Sequence, residues 1–546
     1  MNIGRPQQRY AAILLALGLF AIAYGTLFAY PRQLTRGFLI NDEAWYAEPS
    51  RNLLEGRGYV TDTLYPIFAL ETEALPVPER FKQVGFSWLG AVAGSIFGMT
   101  DRVLVLVALM GMGVAVPACF AALRQFLHDD RLALLLTMVS MGTPVALVAW
   151  TAAVPESWFC FLFWSGLAFL QSRSSRAVGA AGALLVAAVY FKGYAILYLP
   201  IGLMYLFVRG HDLRKRLPAY VGGMVVAAVL AQLILPAAAN QLSESGASYA
   251  GSMMLFETSA FPIHEGPFYS LAQVDALSWI FQNPADYLLK VARMIGRTKA
   301  ILEALGGPAA GMVLLPLLLL SVALSSWRLA CAAPGLRTAW LSSSAGRDSF
   351  QLEDAGRRFL LLALIGVNFA FFWGTNFKSR YFLHLLPLML ALAVIELKPF
   401  FAGGRLKVAT RRLAATVLVL FFAAYPLVKG LERSYRDPHA YLGRFLAVRF
   451  IDYATVVQNL EQHVPAGAVV MSPLAHEITW YTRRPTLFPP ADVTEMTYLV
   501  DKFDVSAVYL HPGVPAPPEW NNGDFRLADG TRGLLWLGIT RWSVVA

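Results

Sequence analysis

Charge is what this sequence has least of: 15% of its 546 residues are Asp, Glu, Lys or Arg, while 57% are hydrophobic. With a mean hydropathy of +0.52, that balance excludes an ordinary soluble domain, a disordered chain, a collagen and a coiled coil. Cysteine is scarcer still. Cys119, Cys160 and Cys331 lie in or beside apolar segments without paired spacing. They support neither a disulfide framework nor a thiolate metal site and read as small buried hydrophobes. There is no internal repeat of fixed period and no low-complexity tract, which argues against an inverted-repeat transporter. The formal charge of +10 is what arginine and lysine holding cytoplasmic loops inside would give, so no nucleic-acid partner is inferred.

What is present in quantity is long apolar runs. Residues 11–30 carry no charge, follow Arg5 and Arg9, and are long enough to cross a bilayer of about 30 Å, which makes them an anchored first helix. Further spans are expected near 103–123, 132–150, 157–171, 177–191, 194–208, 218–238, 308–326, 359–375, 381–396 and 413–428. Segment 84–98 (VGFSWLGAVAGSIFG) is short and rich in Gly and Ser, and it is either an interfacial helix or a further span. Loop charge favours the first. With 84–98 not spanning, the segments assigned to the cytoplasm hold 20 Lys and Arg, and the opposite connections before the tail hold 14 in about twice the length. The expectation is an all-α polytopic membrane protein of about eleven transmembrane helices plus interfacial helices. Its N-terminus is cytoplasmic, in a bacterial inner membrane. Residues 1–429 form the membrane part, with 31–102 and 239–307 as the long outer loops. Residues 430–546 read as a small extracytoplasmic α/β domain, with a helix at 452–464 and strands at 468–471, 505–510 and 533–539.

The outer face then gathers the residues that suit chemistry. Asp42 and Glu43 fall just past the first span, where partial desolvation would raise a carboxyl toward a useful general base. An Asp-Glu pair opening a helix is equally ordinary dipole chemistry. In the helix that follows, Ala44, Ala47, Leu53 and Leu54 fit an apolar face and Glu48, Arg51 and Glu55 a solvated one. Glu156, in TAAVPESW, is the second acidic candidate; its blander role is a helix-start carboxylate after Pro155. Lys82, Lys192 in YFKGY, and Lys378 with Arg380 in NFKSRYFLHLLP bring cations to the same side, either to anchor helix ends or to neutralise a lipid-linked phosphate.

At these residues the sequence resembles a known family. DEAWYAEPSRNLL is similar to the first-outer-loop signature of the GT-C glycosyltransferases, in the bacterial branch akin to protein O-mannosyltransferases and the lipid A aminoarabinose transferase. FKQVGFSWLGAVAGSIFG resembles the branch's Lys-Pro-Pro segment, with Gln83 and Val84 in place of the prolines and Phe81 where some members carry an acid. PESWFCFLFW, YFKGY, SRYFLHLLPLMLAL and WYTRRPTLFPP resemble later elements in the expected order, Arg483 standing for a glycine. The resemblance implies transfer of a sugar from a polyprenyl-phosphate donor to a hydroxyl-bearing acceptor, a glycolipid, polysaccharide or protein, by single displacement. It implies that Asp42 is the general base and that Glu43 and Glu156 position hydroxyls. Lys82, with Lys192, Lys378 and Arg380, would neutralise the departing phosphate. It leaves a divalent cation open.

The remaining polar features are blander. His264 and Glu265, with Glu257, could bind a metal but read as a polar loop, and His476-Glu477 reads the same way. Two other classes compete with an enzyme: a lipid-carrier flippase, which calls for ionisable groups along a path through the bilayer, and a non-catalytic envelope protein that binds lipid carriers.

Overall fold

A computed structural model of the chain describes residues 5–31, 34, 37–38, 41–209, 212–234, 251–261, 266–306, 308–341, 348–375, 378–402, 453–492, 494–509, 534–538 and 541–545. The expected span 413–428 lies outside them, as do His264 and Glu265. The membrane part consists of α1 (Arg5–Ala29), α2 (Asn41–Leu54), α3 (Val84–Phe97), α4 (Asp101–Leu127), α5 (Asp130–Met141), α6 (Pro144–Thr151), α7 (Glu156–Leu170), α8 (Ser175–Val189), α9 (Tyr198–Arg209), α10 (Leu213–Ile234), α11 (Ala276–Gln282), α12 (Pro284–Gly296), α13 (Thr298–Gly306), α14 (Pro308–Leu341), α15 (Asp348–Gly374) and α16 (Leu386–Ala402).

Four of the described helices are long and apolar enough to span by themselves, within α1, α4, α10 and α15, and α5 with α6 makes an apolar pair bent by 78°, a broken span or a re-entrant loop. The bend has a local cause. Gly142-Thr143-Pro144 interrupts the expected helix 132–150, Pro144 occupying a first-turn position and the Thr143 hydroxyl accepting from Ala146 N at 3.3 Å. The other apolar helices are shorter and pack between these. Small residues let backbones approach: a methyl on Gly18 of α1 would lie 2.8 Å from Gly113 O of α4. Exposed Val225, Val226, Leu230 and Leu233 on α10 form an apolar outer surface suited to lipid.

Just before α3, Lys82 reaches Asp42; just after it, Asp101 at the start of α4 lies 3.5 Å from Tyr481 Oη, on a helix that packs on α2. α3 packs beside α2.

The tail is stitched to the first loop. It comprises α17 (Tyr453–His463), α18 (Ala475–Thr482) and α19 (Thr494–Phe503). The strands are β1 (Val60–Thr61), β2 (Thr63–Leu64), β3 (Val77–Pro78), β4 (Val469–Met471), β5 (Thr486–Leu487), β6 (Val505–Tyr509), β7 (Leu534–Gly538) and β8 (Arg541–Val545). Six of them form a sheet in the order β2-β5-β4-β6-β7-β8, parallel from β2 to β6 and antiparallel beyond. The expected helix and strands of the tail are present; β5 and β8 of the same sheet were not foreseen, nor was β2, which comes from the first loop. It adds itself through Thr486 N to Asp62 O at 3.0 Å and Phe488 N to Leu64 O at 2.9 Å. One apolar core then joins Leu64 and Ala69 to Met471, Leu487, Leu499 and Val508.

Candidate active site

Asp42 and Glu43 occupy the first turn of α2, where the helix dipole favours negative charge, and their partners differ. Lys82 Nζ lies 2.8 Å from Asp42 Oδ1, and Arg380, in the turn Ser379–Phe382 ahead of α16, pairs with Oδ2. Burial alone would raise the Asp42 carboxyl, but Arg380, Lys82 and Lys378 outweigh it and hold it well below the usual carboxylate range. The raised pKa expected from sequence is thereby reversed, because the same fold that desolvates Asp42 brings three cations to it. Glu43 is fully buried, and its Oε1 accepts from Ala153 N at 2.8 Å, which ties α2 to the connection just before Glu156.

Glu156 opens α7 and is 3% exposed. Lys192 Nζ lies 2.9 Å from its Oε1 and Arg380 Nε 3.8 Å from the same oxygen, while Oε2 has no hydrogen-bond partner among the described residues. Arg380 thus bridges Asp42 and Glu156. Of the seven residues expected from sequence, five (Asp42, Glu156, Lys82, Lys192 and Arg380) form one ion-pair network, Lys378 acts on Asp42 through its charge, and Glu43 stands behind it.

This donor set does not suit a divalent cation. The carboxylates that converge are each paired with a lysine and bridged by a guanidinium, and Glu43 is engaged by a backbone amide. Glu257 pairs with Arg297 at 2.7 Å. Among the described residues, no three His, Cys, Asp or Glu side chains gather.

A second layer behind the network corrects the sequence reading. Glu48 and Arg51, expected on a solvated face, are 0% and 6% exposed, because the tail covers that face of α2. Glu48 accepts from Thr63 Oγ1 at 2.9 Å and from Asp62 N. Arg51 donates to Trp480 O at 2.8 Å and Thr479 O at 3.2 Å, with its guanidinium over the Trp480 ring. His476 and Glu477, read as loop residues, sit buried in α18. The His476 ring stacks on Trp45 at 4.5 Å, and its Nε2 is 3.3 Å from Tyr65 Oη. The Lys82 ammonium lies 3.7 Å from the centre of the same Trp45 ring. Glu79 was overlooked; it accepts from Trp45 Nε1 at 3.0 Å, Phe81 N at 2.7 Å and Lys82 N at 3.1 Å, so it shapes the bend that presents Lys82. Its only sequence signal was an acid three residues before a site lysine. Burial pushes the carboxyls of Glu48, Glu79 and Glu477 up to about 7, and pushes His476 well down.

No family model matches the chain, and no curated protein matches it in sequence. Solved structures do. The Archaeoglobus fulgidus oligosaccharyltransferase matches in its apo form with a TM-score of 0.57 at 15% identity, over 91% of this chain and 69% of that one. Its complex with Zn and sulfate gives 0.56 at 14% identity, over 91% and 68%. The chain shares the fold of these structures. ArnT from Cupriavidus metallidurans bound to undecaprenyl phosphate is also similar, with a TM-score of 0.48 at 15% identity over 90% and 88%.

Within this fold the network places two carboxylates against three cations at one end of a helical bundle. A carboxylate can accept a proton, and a lysine-arginine cluster can take an anion; the pairing keeps both functions charged while no ligand competes for them.

Proposed function

We propose that this chain is a membrane glycosyltransferase that moves a sugar from a polyprenyl-phosphate donor to a hydroxyl-bearing acceptor: a glycolipid, a polysaccharide or a protein. The observation that carries the reading is the Arg380 bridge between Asp42 and Glu156, with Lys82 and Lys192 on the two carboxylates. The fold supports it, as does the order of the sequence elements. The site lies on the outer face of a bacterial inner membrane, the N-terminus is cytoplasmic, and residues 430–546 form an extracytoplasmic module on the membrane part, 1–429.

The donor phosphate, entering between Lys82, Lys192 and Arg380, competes with Asp42 and Glu156 for these cations, and Lys378 adds to the positive field. As the cations turn to phosphate, the force holding the Asp42 carboxyl down weakens, and Asp42 becomes a better proton acceptor. The acceptor oxygen then forms a bond to the anomeric carbon while the bond from that carbon to the phosphate oxygen breaks. The acceptor proton passes to Asp42, and the lysines and Arg380 neutralise the charge left on the phosphate. Glu156, with one oxygen unpartnered, holds a sugar or acceptor hydroxyl, and Glu43 positions the backbone that carries Glu156. Single displacement gives inversion at the anomeric carbon. No step runs through a metal.

Purified protein supplied with radiolabelled polyprenyl-phosphate sugars and membrane-extract acceptors tests the reading. Wild type should transfer label. Asp42→Asn should lose about 10²- to 10⁴-fold, the range of a positioned base, while still inserted and folded, and Glu156→Gln should fall less. Undiminished transfer by Asp42→Asn would remove the base assignment. Donor left unconsumed by wild type while lipid carrier still binds would favour the flippase or binding-protein reading.

A further inference from the structure

The network above occupies one end of the bundle. At the other end lies a cavity of about 480 Å³ that takes no part in it. Helix α4 leads there from Asp101, beside the tail, to Arg124 and His128, about 35 Å away at 1.5 Å per residue. Its walls come from the ends of α4, α9 and α15 and from the α7–α8 turn, and its charge is lopsided. Four guanidiniums, Arg124, Arg173, Arg209 and Arg357, face two carboxylates, Asp130 and Glu353.

The pairings leave positive charge over. Arg124 is matched by Asp130 at 2.6 Å. Arg173 and Arg209 share Glu353, at 3.4 and 2.8 Å. Arg357 donates to Phe126 O at 3.5 Å, and the acid it pairs with, Asp354 at 3.6 Å, lies outside the lining and is shared with Arg358. Arg209 is the informative member. It is 5% exposed, donates to Gln171 O at 2.6 Å and to Glu353, and its Nε has no partner among the described residues. Arg216, equally buried, clasps Ser172 O and also leaves its Nε unpartnered. A buried guanidinium nitrogen without an acceptor is costly. Arg209 carries that cost in the wall of a concavity where guanidiniums outnumber carboxylates, an arrangement that suits an anion.

We propose that this cavity is a binding site for a phosphoester anion at the membrane surface opposite the Asp42 network. Guanidinium forks match phosphate oxygens in pairs, and a phosphomonoester carries close to the two charges the lining lacks. The cavity exceeds what inorganic phosphate fills, so the ligand brings an organic portion. An anionic phospholipid headgroup of the adjacent leaflet and a soluble phosphate ester both carry this chemistry.

The full chain in neutral detergent, titrated with phosphatidylglycerol, phosphatidylcholine or glycerol phosphate and read by native mass spectrometry, tests the site. One anionic ligand should be retained about tenfold better than phosphatidylcholine. Arg124→Gln/Arg173→Gln, changes at two exposed side chains, should weaken it about tenfold, as loss of charge-assisted contacts implies, without lowering the ligand-free Tm. Selectivity for phosphatidylglycerol alone identifies a leaflet lipid, and displacement by glycerol phosphate a soluble ester; either upholds the site. Equal retention of phosphatidylcholine, or unchanged binding by the double variant, overturns it. Arg209→Lys gives an independent check, since it keeps the charge and removes the unpartnered Nε; unaltered affinity there also counts against the proposal.

Discussion

Asp42 illustrates how little a residue's own chemistry says about its strength as a base. A carboxyl this buried would ordinarily hold its proton more tightly, yet Lys82, Arg380 and Lys378 reverse the sign. Six residues further along the same helix, Glu48 has no such cation and rises to about 7, as do Glu79 and Glu477. These three bind their protons more tightly in the folded chain than in the unfolded one, where a glutamate titrates near about 4.3. Their contribution to stability is therefore complete below about pH 4.3, declines as pH rises toward 7, and is gone above the folded value. The Tm of the purified protein should fall between about pH 5 and 8, and Glu477→Gln should flatten that slope by its share. Asp42 works in the opposite sense, losing its contribution only on strong acidification, so it stays out of this window. A wild-type Tm independent of pH across the interval would mean that water reaches these carboxyls.

At the scale of elements, the helices are placed by what they lack as much as by what they carry. On α8 and α10, Gly182 and Gly223 leave no room for side chains: a methyl on Gly182 would overlap Tyr220 O, and one on Gly223 would overlap Gly179 O. Contact this close replaces the hydrophobic drive that is absent between helices in lipid. Gly182→Leu should separate the pair, seen as a lower Tm in detergent and less folded protein recovered from membranes, whereas Gly222→Leu, with open space around its Cβ position, should change neither. Much of the element pattern was legible beforehand. Uncharged runs of bilayer length, loop arginines and alternating apolar strands each follow from local composition. The bend at Gly142-Thr143-Pro144 was written in the sequence too, as a turn signal inside an apolar run. The solvated face assigned to α2 failed at Glu48 and Arg51 because helical periodicity shows which residues share a face and not what covers it; Glu48 is covered by Asp62 and Thr63 of the first loop, and Arg51 by Thr479 and Trp480, more than 400 residues away.

Taken whole, the molecule has its site at a junction between parts distant in sequence. The carboxylates and cations of the network could be read from position alone, since charge left at the ends of apolar runs is conspicuous. The aromatic and acidic layer behind them could not, because Trp45, Tyr65 and His476 meet only once α18 docks on α2 and β5 pairs with β2. Arg51 is the principal polar tie of that docking. Arg51→Met keeps the stem and leaves two backbone carbonyls without their donor, so it should cost about 2–3 kcal/mol, read as easier proteolysis of the tail with the helical part intact. Resistance equal to wild type would shift the weight of docking to the shared sheet.

That sheet also sets an order of events during synthesis. Its edge strand at residues 63–64 leaves the ribosome early, and its partner at 486–487 follows only after nearly all the membrane helices have been made. Until then the first loop keeps an unpaired strand edge and an uncovered acidic helix, so the lid on the reaction centre arrives last. A chain stalled before its tail is made would hold Asp42 without the wall that shapes its surroundings.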